Sequence, residues 1–388
     1  MKSSLALDGV LPRRRMLLGL AGALACALAS SSVGVVVTAC RRDGADPPDR
    51  GKILSDLSAK VMVPAYADAA VDAKALEASL TTLKGAPTAD ALNGARAAWK
   101  KARASWKITD AFLFGPADDL ALTGGVIDTA PDVVKLEALA APATTTALDA
   151  TAISALGANQ RGFGALETML FDPAKDDAAM LAAFQSADGR RGTLAALLAT
   201  DLRTKVEAVR DAWSSPPTSY GEQLATAGRG STVYSSERQG VDAVVNALLS
   251  AVEVVISLRL AKPLGLDKTP AVAAPELVES NRSDASIDDM LAVLEGVQRV
   301  YLGRSGGLPL ADAVAERSPS ADEHMRANVD KAIAAIKQIQ GPLREAVALR
   351  RDPVIAAHAA VRAIKTSIAT EVAGALGTSI GIGVTDGD

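Results

Sequence analysis

Cysteine, histidine, aromatic side chains and strand-like segments are all scarce in this chain, and each scarcity removes a class of answers. The only cysteines are Cys26 and Cys40. Downstream of residue 40 there is therefore no thiol and no disulfide, and stability must come from packing. The only histidines are His324 and His358, so a serine–histidine–acid arrangement would have to use one of them. His324 follows a helix start and is expected to be exposed. His358 sits between Val354 and Val361 on a helix face, where a packed or hydrogen-bonded role is expected. HExxH, GxSxG, a phosphate-binding loop and CxxC are all absent, which removes the common metal, nucleophile, nucleotide and redox signatures. Aromatics make up 3% of a chain rich in Ala and Leu. That composition favours helices packed through small and aliphatic side chains over a β-sandwich. With 49% hydrophobic residues, a sizeable core needs no metal or disulfide support.

What is present begins with the N-terminus. Arg13-Arg14-Arg15 precedes an apolar, Ala-rich run ending at Ala39. A basic region, an apolar run and small residues make an export signal, and paired arginines point to the twin-arginine route. Val37-Thr38-Ala39-Cys40 resembles a bacterial lipobox, which would make Cys40 the lipidated first residue of the mature chain. A single membrane anchor and plain secretion are the alternatives; Ser30-Ser31-Ser32 interrupts the run that an anchor would need. Loss of residues 1–39 leaves 37 cations against 44 carboxylates, a net charge of −7. An acidic surface without a basic, aromatic-lined patch excludes nucleic acid as a partner.

Helical periodicity runs through the rest. Leu92, Trp99, Trp106 and Leu113 recur every seven residues with Ala95 and Ala102 between them, an apolar stripe along one helix. Thr88 is its expected N-cap and Gly115-Pro116 its end. Both tryptophans are expected in the core. Further helices are expected at about 53–84, 148–171, 190–213, 231–261, 286–302, 320–349 and 353–376, with capping-box spacing at Ser320–Glu323. The Ser-, Pro-, Thr- and Gly-bearing stretch before residue 231 reads as a boundary, and a loop is expected at 262–275. The expected organisation is an export signal (1–39), a lipidated cysteine and tether (40–52), an N-terminal helical bundle (53–215), a linker (216–230) and a C-terminal helical bundle (231–388). The fold class is all-α, two four-helix-bundle-like units side by side.

One segment, Asn159–Phe171, carries a chemical anomaly. On a helix at 100° per residue, Phe163, Leu166, Leu170 and Phe171 cover one arc, and Glu167 falls inside it. A carboxylate facing a core costs several kcal/mol unless it is paired, protonated or bound to a cation. Glu167 is thus a candidate site residue; the alternative is a Glu at the edge of the stripe, paired with an Arg such as Arg161.

Gly162, Phe163, Ala165, Glu167, Leu170 and Phe171 resemble the motif of the imelysin family, Gly-x-His-x-x-Glu. Other pieces follow in the family's order: Val63-Pro64-Ala65-Tyr66, Trp99, Phe114-Gly115-Pro116, Ile127-Asp128, Lys262-Pro263-Leu264-Gly265, Glu279–Ser283 and the terminal Asp386-Gly387-Asp388. The resemblance implies a bacterial periplasmic or surface protein, often a lipoprotein, linked to iron acquisition. It also implies two helical bundles with a cleft between them. Some members were catalogued as metallopeptidases of the M75 group, with the motif His and Glu as proposed metal ligands. This chain carries Gly164 at the His position. One retained carboxylate is not a metal site, although Glu279, Asp386 or Asp388 could supply oxygen ligands to a hard cation. Gly164 could instead make room beside Glu167 for a ligand or another backbone. The expectation is a non-catalytic binding module connected with iron or haem uptake, its ligand held between the bundles by Arg161, Glu167, Glu279, Ser280, Arg282 and Ser283. A scaffold that has lost the family's metal site is the runner-up, and a metallopeptidase the weakest reading. The cofactor, if any, would be a divalent metal or iron. Expected partners are a membrane, through Cys40, and envelope iron-uptake components.

Overall fold

Several helices in this chain start at short oxygen-bearing side chains that satisfy the first free N–H groups. The computed structural model describes residues 49–120, 126–142, 144–304 and 306–381, without the side chains of Asp118 and Asp119. Asp49 accepts from the Lys52 N–H to open α1 (Arg50–Leu57), which runs through a π-helical turn, Ser58–Met62, into α2 (Val63–Gly85). Thr88 accepts from the Ala91 N–H, 3.2 Å, and opens α3 (Ala89–Ile108), which tightens into a 3₁₀ turn at Thr109–Phe112. Short helices follow: α4 (Pro116–Asp119), α5 (Val133–Ala140), α6 (Ala150–Ser154), α7 (Gly162–Leu170) and α8 (Asp177–Phe184). Then come α9 (Arg190–Ser214) and α10 (Tyr220–Ala225). Ser236 caps α11 (Glu237–Val254), which passes through a second π segment, Val255–Ala261, into α12 (Lys262–Leu264). The remainder is α13 (Ser286–Leu302), α14 (Leu310–Arg317), α15 (Pro319–Lys337), α16 (Leu343–Leu349), α17 (Arg351–Thr366) and α18 (Ala373–Leu376), the last two joined by a third π segment, Ser367–Val372.

No strand occurs among the described residues, as the composition implies. In one group α2 packs against both α3 and α9, with α7 across α3 and α9; in the other α11, α13, α15 and α17 pack together. The groups join where α3 meets α13 and where its 3₁₀ extension meets α11. Asp46–Asp388 is a single compact unit. Trp99 and Trp106 lie in its core, with Trp213 stacked on Tyr66 at 5.4 Å.

Several boundaries differ from expectation for identifiable reasons. The stretch 148–171 is three pieces because Gly162 sits at φ +72° and resets the chain before α7. The helix expected over 320–349 breaks at Gly341-Pro342, where φ is +70° at the glycine and Pro342 cannot continue the backbone ladder. No capping box forms at Ser320–Glu323; α15 starts one residue earlier, at Pro319, with Ser318 at the N-cap position. Residues 216–230 contain α10, and α1 packs on both α10 and α11, so packing crosses the expected linker. Helix α8 carries no periodic signal of its own, and α5 and α14 span only eight residues each. The export signal, Cys40, most of the tether, Asp386 and Asp388 lie outside the described residues.

Candidate functional site

At the junction of α3 with α13, seven segments bring eight charged side chains together. Helix α3 supplies Arg103 and Lys107, 2% and 1% exposed, from the same face that carries Trp99 and Trp106. The 3₁₀ turn supplies Asp110, and the second π segment supplies Arg259. Asp128 comes from the loop ahead of α5, Asp289 from α13, and Glu279 from the turn that precedes α13. Helix α7 brings Glu167 to the edge of this group.

The ion pairs form a closed ring. Arg103 uses three nitrogens on three carboxylates: Nε to Asp289 at 2.7 Å, Nη1 to Asp128 at 2.7 Å and Nη2 to Glu279 at 2.6 Å. Its guanidinium also lies 5.6 Å from the Trp99 ring and 5.7 Å from that of Phe163. Lys107 donates to Asp128 and, at 3.0 Å, to Glu279. Arg259 reaches Glu279 through Nε and Asp110 through Nη2, both at 2.8 Å. Three cations therefore converge on Glu279. Burial pushes the Glu279 carboxyl up, but Lys107, Arg259 and Arg103 together hold it well below the usual range. For Asp128 the upward push of burial is likewise outweighed by Arg103 and Lys107. Burial alone would lower Lys107; with Arg259 beside it, Asp110, Asp128 and Glu279 still keep it raised, hence charged.

Glu167 is 3% exposed and is held differently. Its Oε1 accepts from the Ser283 N–H at 2.8 Å, the Ser283 hydroxyl at 2.7 Å and the Arg282 N–H at 3.1 Å. The turn that offers these donors has left-handed backbone at Ser280 (φ 51°) and Asp284 (φ 58°). Such a turn aims successive N–H groups at one point. Burial raises the Glu167 carboxyl above its ordinary value, against the Ser283 hydroxyl and Arg103. The Ser280 hydroxyl donates to Asp289 at 2.7 Å, so both carboxylates brace the same turn.

Five of the six expected ligand-binding residues thus come together: Glu167, Glu279, Ser280, Arg282 and Ser283. Arg161 is elsewhere. It pairs with Asp201 through Nη2 at 2.6 Å and Nε at 3.1 Å, not with Glu167. The Arg282 side chain donates to the Phe171 carbonyl, 3.0 Å, and pairs with Asp172, 3.3 Å, leaving only its backbone N–H on Glu167. His324 is exposed and hydrogen-bonded to Glu371 at 2.8 Å, and His358 is half-buried; neither approaches Glu167's partners.

Gly164 is filled from outside its helix. A Cβ there would lie 2.6 Å from the Thr129 carbonyl oxygen and 3.0 Å from Pro131 Cδ. The loop that does this is pinned at both ends: the Phe163 N–H donates to the Ile127 carbonyl, and the Asp132 N–H to the Asn159 carbonyl, each at 2.8 Å. Of the two options left open by the sequence, the glycine makes room for backbone. The donor set does not fit the family's metal ligation. The His position has no space for a side chain, Glu167 already accepts three hydrogen bonds on one oxygen, and every other carboxylate faces a Lys or Arg. Among the described residues no group of three or more His, Cys, Asp or Glu side chains is arranged to hold an ion.

Comparison with known proteins agrees with this architecture. A family model described as Imelysin, peptidase M75, matches residues 62–370. Iron-regulated protein A of Synechococcus elongatus is 27% identical over 375 residues, which cover 94% of each chain. Among solved structures, one described as an iron-regulated protein A precursor from Parabacteroides distasonis superposes with a TM-score of 0.71 at 20% identity. It covers 86% of this chain and 97% of its own. An imelysin-like protein from Psychrobacter arcticum gives 0.65 at 19% identity with the same coverage. At these identities the solved structures establish the shared fold.

Proposed function

The chain belongs to the imelysin family, and from that premise we propose that it is a non-catalytic binding protein of the cell envelope, lipid-anchored through Cys40 and serving iron or haem uptake. One observation carries the non-catalytic part. The Thr129 carbonyl oxygen lies 2.6 Å from where the first side-chain carbon of a motif histidine would have to be, too close for one without the loop moving, so the family's His–Glu pair does not fit around Glu167 as the chain is folded. A metallopeptidase needs an open metal position and a water to activate. Here the space is backbone, and the surrounding carboxylates are neutralised by Arg103, Lys107 and Arg259. Glu167, Ser280 and Ser283 then serve to hold the Glu279–Ser283 turn in place. The parts of this cluster open to solvent are Glu279 and Asp128, whose side chains are 32% and 23% exposed. That rim is where a ligand or partner would meet the site.

The envelope location is supported by Arg13–Arg15, the apolar run and the Val37–Cys40 sequence. The link to iron is supported by the names of the relatives, which are called iron-regulated. Two measurements test the proposal together. The purified chain is expected to leave an unfolded protein substrate intact with added zinc or iron, and chelator-sensitive cleavage would end the non-catalytic reading. In cells, iron limitation is expected to raise the protein's abundance, and its deletion to slow iron or haem uptake. An unchanged uptake rate together with a stably co-purifying envelope protein would favour the scaffold reading instead.

A further inference from the structure

The chain has four tyrosines, and their hydroxyls are placed differently. Tyr66 donates to the Phe112 carbonyl at 3.2 Å, and Tyr301 to Asp322 at 3.0 Å. Tyr220 and Tyr234 meet each other, oxygen to oxygen at 2.7 Å, with ring centroids 6.1 Å apart and planes tilted by 71°. Tyr220 opens α10, and Tyr234 lies two residues before the Ser236 cap of α11. Both are held in place. Gly115, at φ +63°, leaves room for the Tyr220 ring, and a Cβ there would run into it. Trp213 packs edge-to-face on the same ring at 5.0 Å. The Tyr234 N–H donates to the Ser231 hydroxyl, which donates to Gln223 of α10, each at 3.0 Å. Burial and Tyr220 push the Tyr234 phenol up, so it stays protonated.

A phenol that gives up one electron and its proton becomes a phenoxyl radical, with spin on the oxygen and on the ring carbons beside it. Two such radicals join through those carbons. The hydrogen on each joining carbon then moves to the neighbouring oxygen, which restores both rings. The product is a biphenol whose two hydroxyls stand side by side on rings twisted out of one plane. Tyr220 and Tyr234 already make that contact. With a peroxide as the terminal oxidant, two phenols and one hydrogen peroxide give the biphenol and two waters. Only an electron has to reach the oxidant, and Tyr234, 7% exposed, lies at the surface edge of the pair.

We propose that Tyr220 and Tyr234 are a site of oxidative cross-linking, where a carbon–carbon bond between the rings ties α10 to the segment ahead of α11. The bond spans fourteen residues of chain and restrains the unfolded state as a disulfide does. No disulfide is available to this chain downstream of Cys40. The test illuminates the purified chain, dilute, with ruthenium tris-bipyridyl and persulfate, a one-electron oxidant, and maps the digest by mass spectrometry. A chain of single mass, lighter by two hydrogens, is expected. Its linked peptides should hold Tyr220 and Tyr234, and its melting temperature should rise. Tyr220→Phe and Tyr234→Phe, each with helical circular dichroism unchanged, should abolish the product, and Tyr301→Phe should leave it. A wild-type chain whose tyrosines stay unlinked while N-acetyltyrosine couples in a parallel reaction would overturn the proposal. So would linked peptides that carry Tyr66 or Tyr301, a bond formed only between two copies, or a product that survives Tyr234→Phe.

Discussion

Replacing Gly164 by alanine tests the closed site most simply, because two effects of opposite sign compete there. In a helix interior Ala is favoured over Gly by about 1 kcal/mol. Against this, the new Cβ would sit 2.6 Å from the Thr129 oxygen, where ordinary contact begins at 3.4 Å. The loop must retreat by about 0.8 Å, and its two backbone hydrogen bonds to Phe163 and Asn159 resist that movement. Asp128, on the same loop, would be drawn from Arg103 and Lys107. Overpacking of this kind costs about 1–3 kcal/mol, so a net destabilisation of about 1 kcal/mol is expected for Gly164→Ala, and more for Gly164→His. Urea unfolding followed by circular dichroism reads this as a lower midpoint at an unchanged slope. If Gly164→Ala is instead stabilised by about 1 kcal/mol, the helix term has gone unopposed and the loop does not fill the position.

Other outcomes follow from the same cluster. Glu167→Ala should lower stability by about 3–5 kcal/mol, because Ser283 and the turn lose their acceptor inside the core; Glu167→Gln, which keeps an acceptor oxygen, should cost visibly less in the same unfolding assay. Arg103→Gln should be comparably severe, since three carboxylates lose their shared partner, and Arg103→Lys should rescue little because one ammonium cannot replace the three-way fork. Acid titration separates two kinds of carboxyl. Glu279 is depressed below its ordinary 4.5, so its contribution is complete above that pH and is lost as pH falls through the folded-state value. Glu167 is raised, which gives the reverse dependence: its contribution is present below 4.5 and is lost as pH rises through the folded-state value. Glu279→Gln should therefore flatten the acid limb of the stability curve measured by thermal melts. A curve with an unaltered acid limb would show that Glu279 is not the paired group.

Much of this was legible before any coordinates, by one rule applied unevenly. Glu167 stood out because its angle on α7 places it within an apolar arc. The same arithmetic puts Arg103 about 40° from Trp99 on α3, which marks it as a charge on a buried face just as Glu167 is, although it belongs to no motif. Arg259 is harder, because it lies in a π segment whose wider turn defeats a 3.6-residue period. The loop through Thr129 was beyond reach. It has no periodicity, and only its tertiary contact with Gly164 shows why a glycine stands there. Arg161 lies six residues before Glu167 in sequence, but the left-handed Gly162 between them redirects the chain, and the guanidinium pairs with Asp201 instead.

The most direct measurement is elemental analysis of the chain from Arg41 onward, dialysed against trace iron, zinc and calcium, beside Glu167→Ala and Gly164→His. A site filled by its own backbone and its own cations predicts no stoichiometric metal in any of the three. One equivalent of metal in the wild-type chain, lost in Glu167→Ala, would contradict it.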